Sequence, residues 1–207
     1  MREYLTVRSE AKGEYTEKRS RFVSGIYPCH SEEEAILILS KVRSENFGAN
    51  HNVYAYVLNN GTVRFSDDSE PHGTAGKPVL EVIEGKKLED VIIVVTRYFG
   101  GVLLGTGGLV RSYTSAAQDA VKNSEICKMC ECAVYKVCCG YSDHAKLVSV
   151  IKNSGGEISD SVFEDKVSID FTILEKDSNK FETDLCEAFS SRISANKEKI
   201  ELLPMKI

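Results

Sequence analysis

Residues 91–109 read Val91-Ile-Ile-Val-Val-Thr-Arg-Tyr-Phe-Gly-Gly-Val-Leu-Leu-Gly-Thr-Gly-Gly-Leu109, and this stretch decides the fold of the N-terminal half. The run from Ile92 to Val95 is apolar without alternation, which predicts a strand covered on both faces at the centre of a sheet. After the glycines, apolar residues recur at helical spacing from Leu109 to Val121. The stretch therefore predicts a strand, a glycine-rich loop and a helix.

The loop contains five glycines within nine residues: Gly100, Gly101, Gly105, Gly107 and Gly108. Glycines let backbone amides approach a ligand, and a helix start presents unpaired N–H groups and a positive dipole end, which together suit an anion. The loop matches neither standard nucleotide motif, because Thr106 replaces the lysine of a Walker loop and the dinucleotide pattern lacks its last glycine. It is either an anion site or a tight strand-to-helix turn.

The composition allows one large domain or two small ones, since 42% of the 207 residues are hydrophobic. The 26 basic and 31 acidic side chains give a net charge of -5, which argues against a globally basic nucleic-acid binder but allows a local basic patch. No apolar run approaches the length of a membrane span, and the first residues contain no signal-peptide core. We expect a cytoplasmic protein without a membrane partner.

The seven cysteines, an odd number without a secretion signal, indicate reduced thiols rather than a disulfide framework. Five of them lie between Cys127 and Cys139, which also suggests zinc. Adjacent Cys138 and Cys139 would point to opposite faces of a strand, however, so they do not readily face one ion. We predict buried free thiols, with no metal and no cofactor.

The densest basic cluster contains Lys18, Arg19 and Arg21, in a stretch that alternatively forms a solvated edge strand. Farther along, Asn59-Asn60-Gly61 separates two strands of a predicted hairpin. His51 precedes this hairpin, and an isolated histidine of this kind is more often structural than a ligand or base.

The polar loop Ser66–Pro78 offers a second set of candidate site residues: Asp67, Asp68, Glu70, His72 and Lys77. The three acids could bind a hard cation such as magnesium, or Asp68 with His72 could transfer a proton. Alternatively, the loop is a turn that caps a helix starting near Thr74 or Pro78. We expect the acids to be exposed beside the end of the central strand, with Arg97 or Arg111 as their neighbour.

The first part of the chain contains four motifs in order: Lys18-Arg-Ser-Arg-Phe22, Ala49-Asn-His-Asn-Val-Tyr-Ala-Tyr56, Ser66-Asp-Asp-Ser-Glu-Pro-His-Gly-Thr-Ala-Gly-Lys-Pro78, and Val95-Thr-Arg-Tyr-Phe-Gly-Gly101 with Leu104-Gly-Thr-Gly-Gly-Leu109. Together these motifs resemble the YigZ/IMPACT family. The resemblance implies an N-terminal domain like the second domain of ribosomal protein S-five, with a sheet backed by two helices. It also implies a link to translational control, in which eukaryotic relatives act by competing for the activator of a starvation-sensing kinase. The chain departs from the family's usual Asp-Gly-Glu-Pro-Ser-Gly by carrying Ser69 in place of the first glycine.

Residues 131–207 follow a different pattern of alternating strands and helices. Strands are predicted at 134–139, 157–163, 167–173 and 199–203, with helices at 142–154 and around 181–189. The order βαββαβ predicts a ferredoxin-like sandwich, and it is similar to the C-terminal module of bacterial YigZ proteins. We therefore predict an α+β protein with an IMPACT-like domain at 1–130 and a ferredoxin-like domain at 131–207.

Three functions are compatible with these patterns. The protein binds RNA or the ribosome in the regulation of translation, or acts as an enzyme, such as a hydrolase, on a phosphorylated small molecule, or regulates a translation-related protein partner. The anion-binding candidates are Lys18, Arg19, Arg21, Lys77, Arg97, Gly100, Gly101, Gly105, Thr106, Gly107, Gly108 and Arg111. A polar site is the other candidate, formed by His51, Asp67, Asp68, Glu70 and His72.

Overall fold

The computed structural model describes residues 2–206, which fall into two compact units. The N-terminal unit contains Tyr4–Lys128, and the C-terminal unit contains Met129–Leu203. The α+β class with two parts is as predicted. The domain limits 1–130 and 131–207 remain our proposal for the folding domains. Within residues 2–206, no helix is long and apolar enough to cross a membrane.

The N-terminal unit is built on a five-stranded antiparallel sheet in the order β2-β3-β6-β4-β5. Its elements are β1 (Tyr4–Val7), β2 (Ala11–Glu17), β3 (Ser20–Pro28), α1 (Glu32–Glu45), β4 (His51–Val57), β5 (Val63–Ser66), α2 (Gly76–Gly85), β6 (Val91–Tyr98) and α3 (Gly105–Asn123).

The central strand β6 is buried on both faces, as its unbroken apolar run predicts. Ile93 and Val95 pack with buried residues of α2 and α3, whereas Ile92 and Val94 pack with those of α1 on the opposite face. The two helices expected behind the sheet are therefore α2 and α3, and α1 adds a further layer. An antiparallel sheet commonly leaves one face in water, whereas helices cover both faces of this sheet.

The register of the sheet brings separate parts of the chain to the end of β6. Arg97 lies opposite Phe22 of β3 and opposite His51 of β4. By alternation, Arg97 shares the face of Ile93 and Val95, so its side chain lies on the α3 side at the edge of the apolar core.

The C-terminal unit has the predicted ferredoxin-like order, β7-α4-β8-β9-α5-β10. Its strands are β7 (Ile126–Cys139), β8 (Glu157–Phe163), β9 (Val167–Leu174) and β10 (Ala195–Lys206), and its α-helices are α4 (Tyr141–Asn153) and α5 (Ser178–Phe189). β7 pairs with β9 and β10, and β9 with β8. Aromatic packing of Tyr135, Phe171 and Phe181 fills the core under the two helices. β7 begins eight residues before the predicted Val134, because the cysteine-rich stretch is itself extended.

The cysteines of β7 are mostly core residues. Cys127, Cys130, Cys132 and Cys139 are buried, and Cys138 is exposed. Burial raises the pKa of Cys132 to about 11 and also raises the pKa of Cys127, which favours the neutral thiol. Within residues 2–206, no group of three or more histidine, cysteine or acidic residues is placed to hold a metal ion.

A buried carboxylate joins three parts of the N-terminal unit. Asp90 accepts hydrogen bonds from the Tyr4 hydroxyl and from both the backbone and side-chain nitrogens of Asn59. His30 Nδ1 lies 3.2 Å from the same carboxylate. Asp90 therefore fastens β1 and the hairpin turn to the start of the central strand.

The Tyr4 contact makes stability depend on alkaline pH. Burial, followed by the hydrogen bond to Asp90, raises the pKa of Tyr4 from 10.0 to about 12. The phenol ionises near pH 10 in the unfolded chain, so this stability is complete below pH 10 and is lost as pH rises towards 12. At pH 8, we expect the unfolding free energy of the wild-type protein to be about 2 kcal/mol larger than that of Tyr4→Phe.

Denaturant titrations of both proteins at several pH values measure this difference. The remaining tyrosines are common to the two proteins, so their ionisation cancels. The difference should shrink between pH 10 and pH 12, and a constant difference across that interval would contradict the assignment.

Candidate functional site

A buried ion pair lies at the end of β6. Arg97 Nη1 donates to Glu70 Oε1 at 2.6 Å, and the two side chains are 7% and 3% exposed. The same oxygen accepts a hydrogen bond from the Tyr113 hydroxyl of α3 at 2.7 Å. The guanidinium carbon also lies 5.5 Å from the ring centres of Phe22 and Phe99. These contacts compensate for removing two charges from water.

His51 extends this polar cluster from β4. Its Nδ1 donates to the backbone carbonyl of Asp68 at 2.8 Å, which fixes the ring, and its Nε2 lies 3.8 Å from Glu70 Oε1. In the neutral imidazole, Nε2 is then a hydrogen-bond and proton acceptor. Burial and the charge of Glu70 raise the pKa of Tyr113 far above its ordinary value, so its hydroxyl stays a donor. The cluster can therefore bind polar groups and accept a proton at one atom.

The first two acids of the polar loop hold backbone in place. Asp67 accepts hydrogen bonds from the amides of Gly73, Ala75 and Gly76, and so satisfies the start of α2. Burial acts to raise the pKa of Asp67, but these three hydrogen bonds outweigh it and leave the pKa below its usual value. Asp68 accepts from the amide of Asn52 at 2.6 Å and from Arg43.

Three expectations for this loop need correction. None of the three acids is exposed as predicted: Glu70 is buried, because Arg97 and Tyr113 compensate for its charge, and Asp67 and Asp68 are only partly exposed. The three acids do not converge on a cation, since each carboxylate has its own partners, and the capping interpretation of the loop is right for Asp67. Asp68 and His72 do not form a proton-transfer pair: the nearest acid to the fully exposed His72 is Asp67, at 3.7 Å. Of the two arginines predicted beside the acids, Arg97 is the neighbour.

The loop also contains backbone in the left-handed region. Asp68 has a φ of 43° and Ser69 a φ of 71°. Ser69 stands where the resemblance described above implies glycine, and it adopts a conformation that glycine enters without a Cβ clash. The turn geometry therefore survives the substitution at the expense of local strain.

The glycines of residues 100–108 divide into two groups. A Cβ at Gly100 would lie 2.1 Å from the carbonyl carbon of Arg19, so this glycine lets the loop pack on the β2–β3 turn. Gly101 and Gly105 have positive φ values of 81° and 70°. Gly107 and Gly108 lie in the first turn of α3 without such a φ, and the nearest atom to a Cβ at Gly107 is Arg111 Nη1 at 3.5 Å. The tight-turn interpretation thus explains the first three glycines.

The polar cluster borders a pocket of about 480 Å³, here named the strand-end pocket. Its floor is the Arg97–Glu70 pair, and one side is the start of α3, whose first residues have no side-chain cap. Another side is apolar and includes the exposed side chains of Phe99 and Leu103. The lining residues are Asn50, His51, Glu70, Pro71, Arg97, Phe99, Leu103, Leu104, Gly105, Thr106 and Leu109.

The predicted basic residues differ in their exposure and in whether an acid pairs with them. Lys18 and Arg19 are exposed at the β2–β3 turn, where Gly100 packs, and Arg111 is exposed over Gly107. Arg21 is engaged by both oxygens of Glu14 at 2.8 Å. Lys77 is exposed on the first turn of α2. Arg97, by contrast, is a buried partner of Glu70 rather than a surface cation.

Several pocket residues were not identified from sequence. Asn50, Phe99 and Leu103 lie in loops without a periodic pattern, so nothing local distinguishes them. Tyr113 offered a signal, because it places a hydroxyl on the apolar face of α3, and a buried hydroxyl requires a partner.

Comparisons with known proteins match both parts of the chain. The Impact N-terminal domain matches residues 18–121, and the Domain of unknown function (DUF1949) matches residues 137–192. An IMPACT family member of Haemophilus influenzae is 35% identical over 93% of this chain and 96% of its own. IMPACT family member YigZ of Escherichia coli is 32% identical over 71% of this chain and 74% of its own. A crystal structure described as that of a hypothetical protein is similar with a TM-score of 0.62 and 27% identity, covering 96% and 98% of the two chains.

The buried ion pair predicts a large loss of stability when one partner is removed. Arg97→Met leaves Glu70 buried with Tyr113 as its strong donor, so the unfolding free energy should fall by about 3–5 kcal/mol. The control is Arg64→Met, which breaks the exposed Arg64–Glu32 pair of the same unit and should change stability by less than about 1 kcal/mol. Denaturant titration measures the unfolding free energy of both variants. Equal losses would show that burial does not increase the contribution of the Arg97–Glu70 pair to stability.

The strained turn predicts that Ser69→Gly is stabilising. Removing the Cβ relieves about 1–2 kcal/mol of left-handed strain in the folded state. Glycine also gives the unfolded chain more conformational freedom, which lowers stability by roughly 0.5–1 kcal/mol. The net gain of about 0.5–1 kcal/mol should raise Tm by about 2–3 °C. Ser69→Ala retains the Cβ and should give no gain, so a rise common to both variants would argue against strain.

Proposed function

Since the chain belongs to the IMPACT family, we propose that it regulates translation by binding single-stranded RNA at the end of β6. The N-terminal unit carries the binding surface in this proposal. RNA phosphates contact exposed basic side chains, and the strand-end pocket lies beside them. The family resemblance supplies the setting in translation, and the residues at the strand end supply the chemistry.

The observation that carries this proposal is the grouping of exposed cations around one loop. The β2–β3 turn with Lys18 and Arg19 packs on Gly100, and Arg111 lies over Gly107 at the start of α3. The same loop contains Phe99, which is 46% exposed. Cationic side chains beside an exposed aromatic ring are the combination that single-stranded nucleic acids require.

The overall charge of -5 limits this interaction to a local surface. Arg21 contributes little net attraction, because Glu14 neutralises it through two hydrogen bonds. Lys18, Arg19 and Arg111 form no ion pair with residues 2–206, and they then neutralise about three phosphates. Affinity should be modest and strongly dependent on salt.

Binding of a labelled single-stranded RNA across a series of salt concentrations tests this function. With about three phosphates neutralised, log affinity should fall with log salt at a slope of roughly -2. Arg111→Gln and Arg19→Gln should each weaken binding and flatten the slope by about 0.7, because each removes one phosphate contact.

The matched control is Lys180→Gln, which removes an exposed cation from α5 of the C-terminal unit. It should leave affinity and slope unchanged. No binding by wild type at low salt, or the same loss in all three variants, would overturn the RNA proposal. Arg97→Ala is unsuitable for this experiment, because Arg97 is structurally paired with Glu70.

A further inference from the structure

We propose that the strand-end pocket binds one nucleotide unit, with its phosphate at the start of α3 and its base on Phe99 and Leu103. This inference rests on the proposed RNA function and adds to it a pocket that accepts a single nucleotide. The ligand has an anionic phosphate and an apolar, planar base. The polar side of the pocket suits the phosphate, and the apolar side suits the base.

The phosphate end is defined by the start of α3. This 19-residue helix begins at Gly105, and Leu104 at its N-cap position makes no side-chain hydrogen bond to the first turn. The first amides of such a helix have no acceptor within it, and the dipole adds positive potential. Gly105 and Thr106 line the pocket, so a phosphate in the pocket reaches the first amides of the helix. The guanidinium that lines the same pocket is that of Arg97.

A second, independent observation comes from the floor of the pocket. Arg97 lines the pocket and is 6% exposed, and its Nε has no hydrogen-bond partner among the described residues. Glu70 occupies only Nη1. A buried donor without an acceptor is unfavourable, so the unpaired Nε and the positive charge of Arg97 favour an anionic group on this side of the pocket.

The body of the ligand is defined by the apolar wall. Phe99 and Leu103 are 46% and 84% exposed, and Leu104 and Leu109 continue the surface inward. A flat heteroaromatic ring covers such a wall by stacking on the phenyl face. Inorganic phosphate would leave this wall in water, and a purely apolar ligand would leave the helix start and Arg97 unsatisfied.

Two polar groups remain for the edge of the base. Asn50 Oδ1 accepts from the Phe99 amide, so the side-chain nitrogen of Asn50 is available as a donor. His51 has Nδ1 engaged by the Asp68 carbonyl, which leaves Nε2 as an acceptor in the neutral ring. A pocket of about 480 Å³ lies within the range of small-molecule sites.

Titration with free ligands by NMR or calorimetry tests the pocket on the full chain. The probes are the four nucleoside 5′-monophosphates, the corresponding nucleosides and inorganic phosphate. At least one monophosphate should bind tenfold or more tightly than both its nucleoside and inorganic phosphate, because only it contacts both sides of the pocket. Equal affinity for the monophosphates and inorganic phosphate would overturn the base-binding half of the proposal.

Variants then locate the ligand. Phe99→Ala and Leu103→Ser should weaken monophosphate binding at least fivefold, and Leu103 is exposed enough for the fold to tolerate the change. The matched control is Phe65→Ala, whose ring is 43% exposed on edge strand β5 and does not line the pocket. Loss of binding in Phe65→Ala as large as in Phe99→Ala would overturn the assignment.

The RNA and monophosphate measurements can overturn the two proposals independently. Salt-dependent RNA binding without preferential monophosphate binding overturns the pocket and leaves the proposed function standing. Monophosphate binding without RNA binding supports the pocket as a site for a free nucleotide and overturns the polymer function. Binding of both, with Phe99→Ala reducing both, supports a nucleotide of the RNA as the occupant.

Discussion

Burial of β6 on both faces is the constraint on which the rest of the N-terminal unit depends. Ile93 and Val95 require a cover of helices on one side, and Ile92 and Val94 require one on the other. Continuing the alternation places Arg97 at the edge of the α3-side core, where a charge must find a partner. The position of the ion pair thus follows from the strand that precedes it.

The polar loop is organised by this requirement. Glu70 meets Arg97, while Asp67 turns to the amides at the start of α2 and Asp68 to Asn52 and Arg43. Three acids in four residues avoid mutual repulsion by separating into three environments. The left-handed conformation of Asp68 and Ser69 is the backbone geometry that accompanies this separation. The same loop also fixes His51 through the carbonyl of Asp68.

The turn interpretation of the glycine loop is compatible with the proposed ligand site. Gly100, Gly101 and Gly105 serve the turn, since they permit a close backbone approach or a positive φ. This turn places the start of α3, which has no side-chain cap, beside Arg97, Phe99 and Leu103. A polar floor, an exposed apolar wall and a helix start without a side-chain cap are the features on which the proposal of a ligand with a planar and an anionic part rests.

The sequence by itself determined what depends on local periodicity and ordered motifs: the central strand, the hairpin, the ferredoxin-like order of the second half and the family. These features arise from neighbours within one element, so spacing reveals them. The sequence suggested Arg97 or Arg111 beside the acids, but only the tertiary structure decided that Arg97 is the partner, that it pairs with Glu70 and that Tyr113, 43 residues from Glu70, joins them. Only the structure showed that His72 lies outside the cluster. It also joined Phe99 and Leu103 to the pocket. Such partnerships depend on which strands are adjacent and in what register, and neither is encoded in the spacing of the residues involved.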